Sequence, residues 1–397
     1  MAVVIRPSVT LAELYPAGCV LSGRPSPSAA RWLRGTSALR DFLAGETLPI
    51  AGAMPALAGA GSTGPASLDL LAEAGIAVPR EIVRFADGAS YLDAVAGLAA
   101  GGARLALSHA HAPREVPEAA YAVGRPLLCL LNNKRSLAGL VPSPHRPPER
   151  LLAGAGLDAA DPAFTALPAV LKAAVDEPTG GGTSVRICAT PGDVRAALAD
   201  LASCPEVVVE AFVPHERSFN LQVAIPPSGD ARVLGASEQV VTAEGRYRGN
   251  WLPPEHDPPA GAAALSLAIA RGAAARGYSG ILGLDLAAGP GGTPVVFDLN
   301  FRLNGSTPAL LLAGSVRAAT GAAAIRYRTF EGRDGHAAAL AAAQRGLRGG
   351  WFVPLNTFDP ALSPSSDARA WVSGLVLGAD RAEVGRREAE LLAAGLA

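Results

Sequence analysis

The stretch Val295-Val296-Phe297-Asp298-Leu299-Asn300-Phe301-Arg302-Leu303-Asn304-Gly305 opens behind Pro294 with β-branched and aromatic residues, the composition of a buried strand. Side chains alternate along a strand, so Asp298, Asn300 and Arg302 fall on one face and Phe297, Leu299 and Phe301 on the other. The second face reads as core. The first sets an anion, a neutral oxygen ligand and a cation roughly 6–7 Å apart. Carboxylate and amide oxygens suit a hard cation such as Mg2+, and a guanidinium next in line can hold a phosphoryl group in a fork. A strand end with ordinary solvated polar residues has the same spelling.

Immediately upstream, Tyr278 to Leu286 reads as a strand carrying one acid, Asp285, and Gly291-Gly292 turns it back onto the first stretch. Asp285 and Asp298 are then expected to face each other from neighbouring strands. Two acids plus Asn300 around one pocket can hold two ions roughly 3.5–4 Å apart.

Further upstream, lysine usage is informative. Among 34 basic residues only Lys134 and Lys172 are lysines. A GC-rich genome explains the bias towards arginine. Lysine nevertheless differs from arginine as a compact charge on a flexible stem. Lys172 ends the short apolar strand from Leu167, and Lys134 follows Asn132-Asn133. Next comes the turn Gly180-Gly181-Gly182, whose backbone N–H groups can approach phosphates without obstruction, or which is simply a flexible hairpin. Thr190-Pro191-Gly192-Asp193 has the signs of a helix start. Glu206 to Val213 is an apolar strand apart from Glu206 and Glu210. Alternating strands follow at 216–225 and 232–241, then a polar, aromatic loop at 244–251 and an Ala-rich helix at 260–276. Arg246 and Arg248 in that loop can grip a substrate carboxylate, unless the loop is merely solvated.

Residues 1–130 read as an α/β domain with helices at 28–43, 67–74 and 90–99 and short strands at 104–108 and 126–131. Gly59-Ala60-Gly61-Ser62-Thr63-Gly64 spells a dinucleotide fingerprint, but Pro55 and its small neighbours spoil the strand that should precede it. A tight turn or a substrate-facing loop is the better reading, and a nicotinamide oxidoreductase the weaker one. His109 and His111 could chelate a metal, but no other histidine completes the spacing, so loop hydrogen bonding is the default.

With 397 residues the chain can hold two or three domains. A net charge of −1 gives no case for nucleic acid or an anionic membrane surface. There is no signal-peptide pattern at the start and no apolar run long enough to span a bilayer. Four scattered cysteines fit a reducing cytoplasm.

The ordered set from residue 126 to about 320 resembles the ATP-grasp superfamily: two lysines, a glycine-rich loop, an acid-bearing hinge strand, then Asp285 and Asp298-x-Asn300-x-Arg302. Within it, the chain looks most like the carboxylate–amine ligases of the amino-acid and peptide-ligase kind. The resemblance implies α/β and α+β architecture, a Rossmann-like domain at 1–130 followed by an ATP-grasp fold of two α+β lobes at 131–213 and 214–328. ATP would lie between those lobes, and a small appended lobe would follow at 329–397. It implies that Lys134 and Lys172 contact phosphates, with Lys172 also near adenine, and that Gly180, Gly181 and Gly182 cover the β- and γ-phosphates. Glu210 and the backbone of Phe212 and Val213 would hold adenine, and Glu216 the ribose. Asp285, Asp298 and Asn300 would ligate Mg2+, and Arg302 would stabilise the transferred phosphoryl group. Many relatives carry glutamate where this chain has Asp285 and Asp298.

The implied reaction joins a small-molecule carboxylate and an amine through an acyl phosphate, releasing ADP and phosphate. A phosphotransferase or a non-catalytic nucleotide-binding protein on the same fold is the alternative. A cytoplasmic enzyme is expected, and a homodimer is compatible with it.

Overall fold

The computed structural model describes residues 4–153, 166–242 and 247–397, and these form three sheets that follow one another along the chain. The first is parallel: β1 (Cys19–Ser22), β2 (Ala56–Gly59), β3 (Ile82–Phe85) and β4 (Arg104–Leu107), in the order β3-β2-β1-β4. Helices Ser37–Gly45, Pro65–Glu73 and Gly88–Ala100 connect or flank these strands. Two expectations for this region change. The helix expected over 28–43 begins only at Ser37. Its N-cap is Thr36, whose side chain accepts from the Leu39 amide, and Gly35 just before it has φ +78°, which breaks a helix. The apolar run 126–131 is the helix Arg125–Asn132, with Leu128, Cys129 and Leu131 buried and Leu130 exposed. Pro126 in its first turn is pre-set for a helix, a position that also occurs at strand entries.

The second sheet is antiparallel: β5 (Glu149–Ala153), β6 (Ala169–Ala174), β7 (Val185–Cys188) and β8 (Glu206–Ala211), in the order β5-β8-β6-β7. Helix Pro191–Leu201 covers it, started by a capping box between Thr190 and Asp193. The third sheet has eight strands: β9 (Phe219–Ile225), β10 (Arg232–Val241), β11 (Tyr247–Leu252), β12 (Gly280–Ala288), β13 (Pro294–Asn300), β14 (Ala324–Gly332), β15 (Phe352–Phe358) and β16 (Ala370–Gly378). Their order is β13-β12-β9-β10-β11-β14-β16-β15.

The expected loop at 244–251 is thus strand β11 from Tyr247 onward, paired with β10 and β14. The expected boundary at 328 falls inside β14. The tail's two later strands extend the same sheet rather than building a lobe of their own.

This sheet also ties the ends of the chain together. Leu21, Ile50 and Ala56 of the first domain share one buried cluster with Leu312, Ile325 and Leu355. That packing settles the glycine fingerprint at 59–64. A strand does precede it, contrary to expectation, since β2 ends at Gly59. The loop is already filled: a Cβ on Gly61 would lie 2.5 Å from the Phe358 ring, and the Gly61 carbonyl accepts from the Asp359 amide. No space is left for a pyrophosphate.

Candidate active site

Between the sheets lies a cleft of about 670 Å3, lined by strand residues of the second and third sheets and by loop and helix residues of the first domain. Its floor is the β12–β13 hairpin. The register places Asp285 directly opposite Asp298, as expected, and a bulge follows between Asp285 and Leu286. The bulge explains a departure from simple alternation. Phe297, expected in the core, lines the cleft instead and stacks on His215 with centroids 4.9 Å apart.

Each acid on the floor is heavily bonded. Lys134 Nζ donates to both oxygens of Asp298, at 2.6 and 2.5 Å. Asp285 accepts from Asn220 Nδ2 at 2.7 Å, Gln239 Nε2 at 2.8 Å and Asn300 Nδ2 at 3.1 Å. Burial, and then the charge of Asp298, hold the Asp285 carboxyl above the usual range, because removing water and adding a like charge both disfavour ionisation. Arg302 completes the row, its Nη2 donating to Asn300 Oδ1 at 2.5 Å and to the Thr179 carbonyl at 3.3 Å. Burial lowers the Arg302 pKa, opposed by the two aspartates.

On the second sheet, Lys172 of β6 and Glu210 of β8 sit diagonally, since Glu210 pairs with Val170 two residues before the lysine. Lys172 Nζ lies 2.6 Å from Glu210 Oε2 and donates to the Phe297 carbonyl at 2.7 Å, so it ties this sheet to the third. Both side chains are almost wholly buried. Glu149 stands opposite Glu210 on β5. Burial raises the Glu210 carboxyl despite its lysine, and burial together with Glu210 raises that of Glu149. One oxygen of each acid is buried without a partner, which marks polar capacity not used within the chain.

Gly180, Gly181 and Gly182 line the cleft, and the last two take φ of +64° and +78°, which explains the residue choice. The loop is pinned to the first domain: the Gly180 amide donates to the Trp32 carbonyl at 3.0 Å, and the Thr183 hydroxyl donates to the same oxygen. Phe212, Val213 and Arg248 also line the cleft.

One expected residue is not brought there. Glu216 is exposed and is not among the lining residues; His215 occupies the wall beside Phe212 and Phe297. Arg246 lies outside the described residues.

Sequence reasoning missed several contributors. Asn220 and Gln239 reach Asp285 from strands read only for their alternation. Glu46, just past helix Ser37–Gly45, and Arg34, in the segment before it, carry no motif. The histidine pair divides. His111 is bonded to the Tyr91 hydroxyl at 2.8 Å and to the His109 carbonyl at 3.2 Å, whereas His109 faces the cleft with its Nδ1 unpartnered.

The donor set fits a magnesium ion: two carboxylates opposed in register, a third oxygen on Asn300, and, among the described residues, no sulfur or imidazole bonded to them. In the present arrangement the Lys134 ammonium, the Arg302 guanidinium and three amide groups take up those oxygens.

Comparisons with known proteins place the chain in a family. A family model described as the ATP-grasp domain of L-aspartate–L-methionine ligase matches residues 148–300, and one described as that ligase's N-terminal domain matches residues 10–129. Among solved structures, an ADP complex of N5-carboxyaminoimidazole ribonucleotide synthetase is 15% identical. It covers 99% of this chain and 98% of its own, with a TM-score of 0.57. The Staphylococcus aureus N5-carboxyaminoimidazole synthetase bound to ADP is 12% identical, with 96% and 98% covered and a TM-score of 0.60. A Campylobacter jejuni biotin carboxylase in complex with β,γ-ATP is 14% identical, with 96% and 91% covered and a TM-score of 0.57. At these identities the structures establish a shared fold, and the family models supply the chemistry. The chain belongs to the ATP-grasp superfamily, among its carboxylate–amine ligases.

Proposed function

We propose that the ligase joins L-aspartate to L-methionine. The observation that carries this reading is that two models of one ligase match successive parts of the chain, and both parts border the same cleft. A carboxylate of the first amino acid attacks the γ-phosphate of ATP; the acyl phosphate is then captured by the amine of the second, releasing phosphate after ADP has formed.

The roles fall to the chain's own residues. Lys134 and Lys172 hold phosphate oxygens, with Lys172 also bordering the base. Gly180–Gly182 close over the β- and γ-phosphates through backbone N–H groups. Glu210, with its unpartnered oxygen, accepts from the adenine amino group, and the backbone at Phe212 and Val213 completes that edge. The rings of His215 and Phe297 offer a flat wall beside it. Asp285, Asp298 and Asn300 hold Mg2+, which when bound neutralises the charge on the terminal phosphates. Arg302 steadies the phosphoryl group in transfer, and positioning with charge stabilisation supplies most of the acceleration. Arg248, which lines the cleft, contacts a substrate carboxylate. Four buried, free cysteines suit a reducing cytoplasm.

The test is to supply ATP, Mg2+ and amino acids in pairs, and to read ADP by coupled assay and product by mass spectrometry. Aspartyl-methionine formed only when both amino acids are present supports the reading. ADP release with one amino acid alone, or with a different pair in preference, overturns it.

A further inference from the structure

Glu46 follows helix Ser37–Gly45 as its C-cap, is 3% exposed and lines the cleft. Each aspect of this placement works against a carboxylate. Burial removes its water. The C-terminal end of a helix already concentrates negative partial charge. Among the described residues no lysine, arginine or histidine forms an ion pair with it. Its polar partners are neutral hydroxyls, that of Tyr327, 2.9 and 2.8 Å from its two oxygens, and that of Ser373. Burial pushes the carboxyl up to about 7 in spite of those hydrogen bonds. A glutamine would accept the same bond from Tyr327 with no charge to bury, so packing alone gives no reason for an acid. A cationic ligand does.

We propose that Glu46 anchors the α-ammonium of the amino acid whose carboxylate is phosphorylated. The proposal rests on the ligase reading above, and takes only the name of that amino acid, aspartate, from it. The acceptor amino acid is a poor fit for the role, because its amine must lose its charge to attack. A buried carboxylate would hold it as an unreactive ammonium. The donor's ammonium stays charged throughout, so an anion beside it helps binding without opposing the chemistry. Location agrees, since Glu46, Tyr247 and Asp285 of the acid-lined floor all line the one cleft.

The experiment measures ADP release for the wild type and for Glu46→Gln, varying each substrate in turn. A panel of amino acids, with the product sequenced by mass spectrometry, first identifies the wild-type donor. A donor other than aspartate overturns the substrate reading alone, and the kinetics are then measured with that amino acid. In Glu46→Gln the KM for the donor is expected to rise about tenfold or more, while those for ATP and the acceptor stay within about twofold. Glu46→Asp should recover part of the loss. The wild type should also reject the donor's deaminated analogue (succinate, for aspartate), and Glu46→Gln should lose that discrimination. An unchanged donor KM, a rise confined to the acceptor, or a wild type that uses the deaminated analogue equally well overturns the proposal.

Discussion

Lys134 and Asp298 stand 164 residues apart in sequence, yet the lysine ammonium sits between the two carboxylate oxygens of the aspartate. The pair bridges the start of the central region to the floor of the cleft. It also places a cation where a nucleotide's phosphates and Mg2+ are expected to meet that carboxylate. Lys134→Met should lower kcat/KM for ATP by about 100-fold, the loss of a charge-assisted contact to phosphate. Asp298 retains 24% side-chain exposure, so water can replace the lysine and the stability loss should be only about 1 kcal/mol. Steady-state rates and urea unfolding of the same preparation check both numbers.

Lys172 gives the opposite balance. Its partner Glu210 is only 3% exposed and faces Glu149 across the sheet. Lys172→Met leaves that acid buried without a counter-ion, at a cost of about 3–5 kcal/mol. Adding Glu210→Gln should restore much of the stability and none of the activity. Since the Glu210 carboxyl is raised in the folded protein, protonation relieves the single variant, and its deficit should shrink as pH falls. Chemical unfolding at two pH values separates the three proteins.

Arg302 spans the Asn300 side chain and the Thr179 carbonyl with one guanidinium nitrogen. A lysine keeps the charge but not the planar fork. Arg302→Lys should therefore bind ATP nearly as well as the wild type and lose about 100- to 1000-fold in kcat, the size of effect seen when one transition-state donor is removed. Equilibrium nucleotide binding alongside turnover distinguishes this from a simple binding defect.

The floor of the cleft was legible because local signals converge on it. The Gly291-Gly292 turn fixes the hairpin register, and that register alone brings Asp285 to Asp298. Lys172 was legible as the lone cation of a short apolar strand, although β6 runs past the expected end at Lys172 to Ala174. The misreadings have other causes, some local and most of them partners far away in sequence. The 126–131 run is too short for its period to tell helix from strand. Phe297 reaches the cleft through a bulge that nothing in its own strand announces. The 59–64 loop is closed by Phe358, some 300 residues later, and the tail joins a sheet most of whose strands lie far upstream of it. Glu46 has no motif at all; only its burial beside Tyr327 makes it notable.

The glycine loop makes a milder prediction. Thr183 and Gly180 both bond the Trp32 carbonyl, so the first domain holds the loop in place over the cleft. Thr183→Val removes one of these bonds at a partly buried position, at a cost of about 1 kcal/mol to the closed loop. The KM for ATP should rise several-fold with the fold intact, and kcat should fall less. An unchanged KM would mean that the loop does not order against phosphate.

Glu46 also predicts a pH signature of stability that needs no substrate. Its carboxyl rises from an ordinary 4.5 to about 7 in the folded protein. The folded state therefore keeps a proton that the unfolded chain has already released. Stability conferred on this account is full below about 4.5, falls as pH rises towards 7, and is gone above it. The total is about 3 kcal/mol, since each tenfold change in proton affinity is worth about 1.4 kcal/mol. Glu46→Gln carries no proton to lose, so it should unfold at higher urea than the wild type at pH 8 and converge with it near pH 5. Such a variant would be more stable and a poorer ligase, as expected where a buried charge is kept for binding rather than for folding. Parallel pH slopes in the two proteins would show that the charge at position 46 costs the fold nothing, leaving its burial without the penalty that a bound ammonium is proposed to relieve.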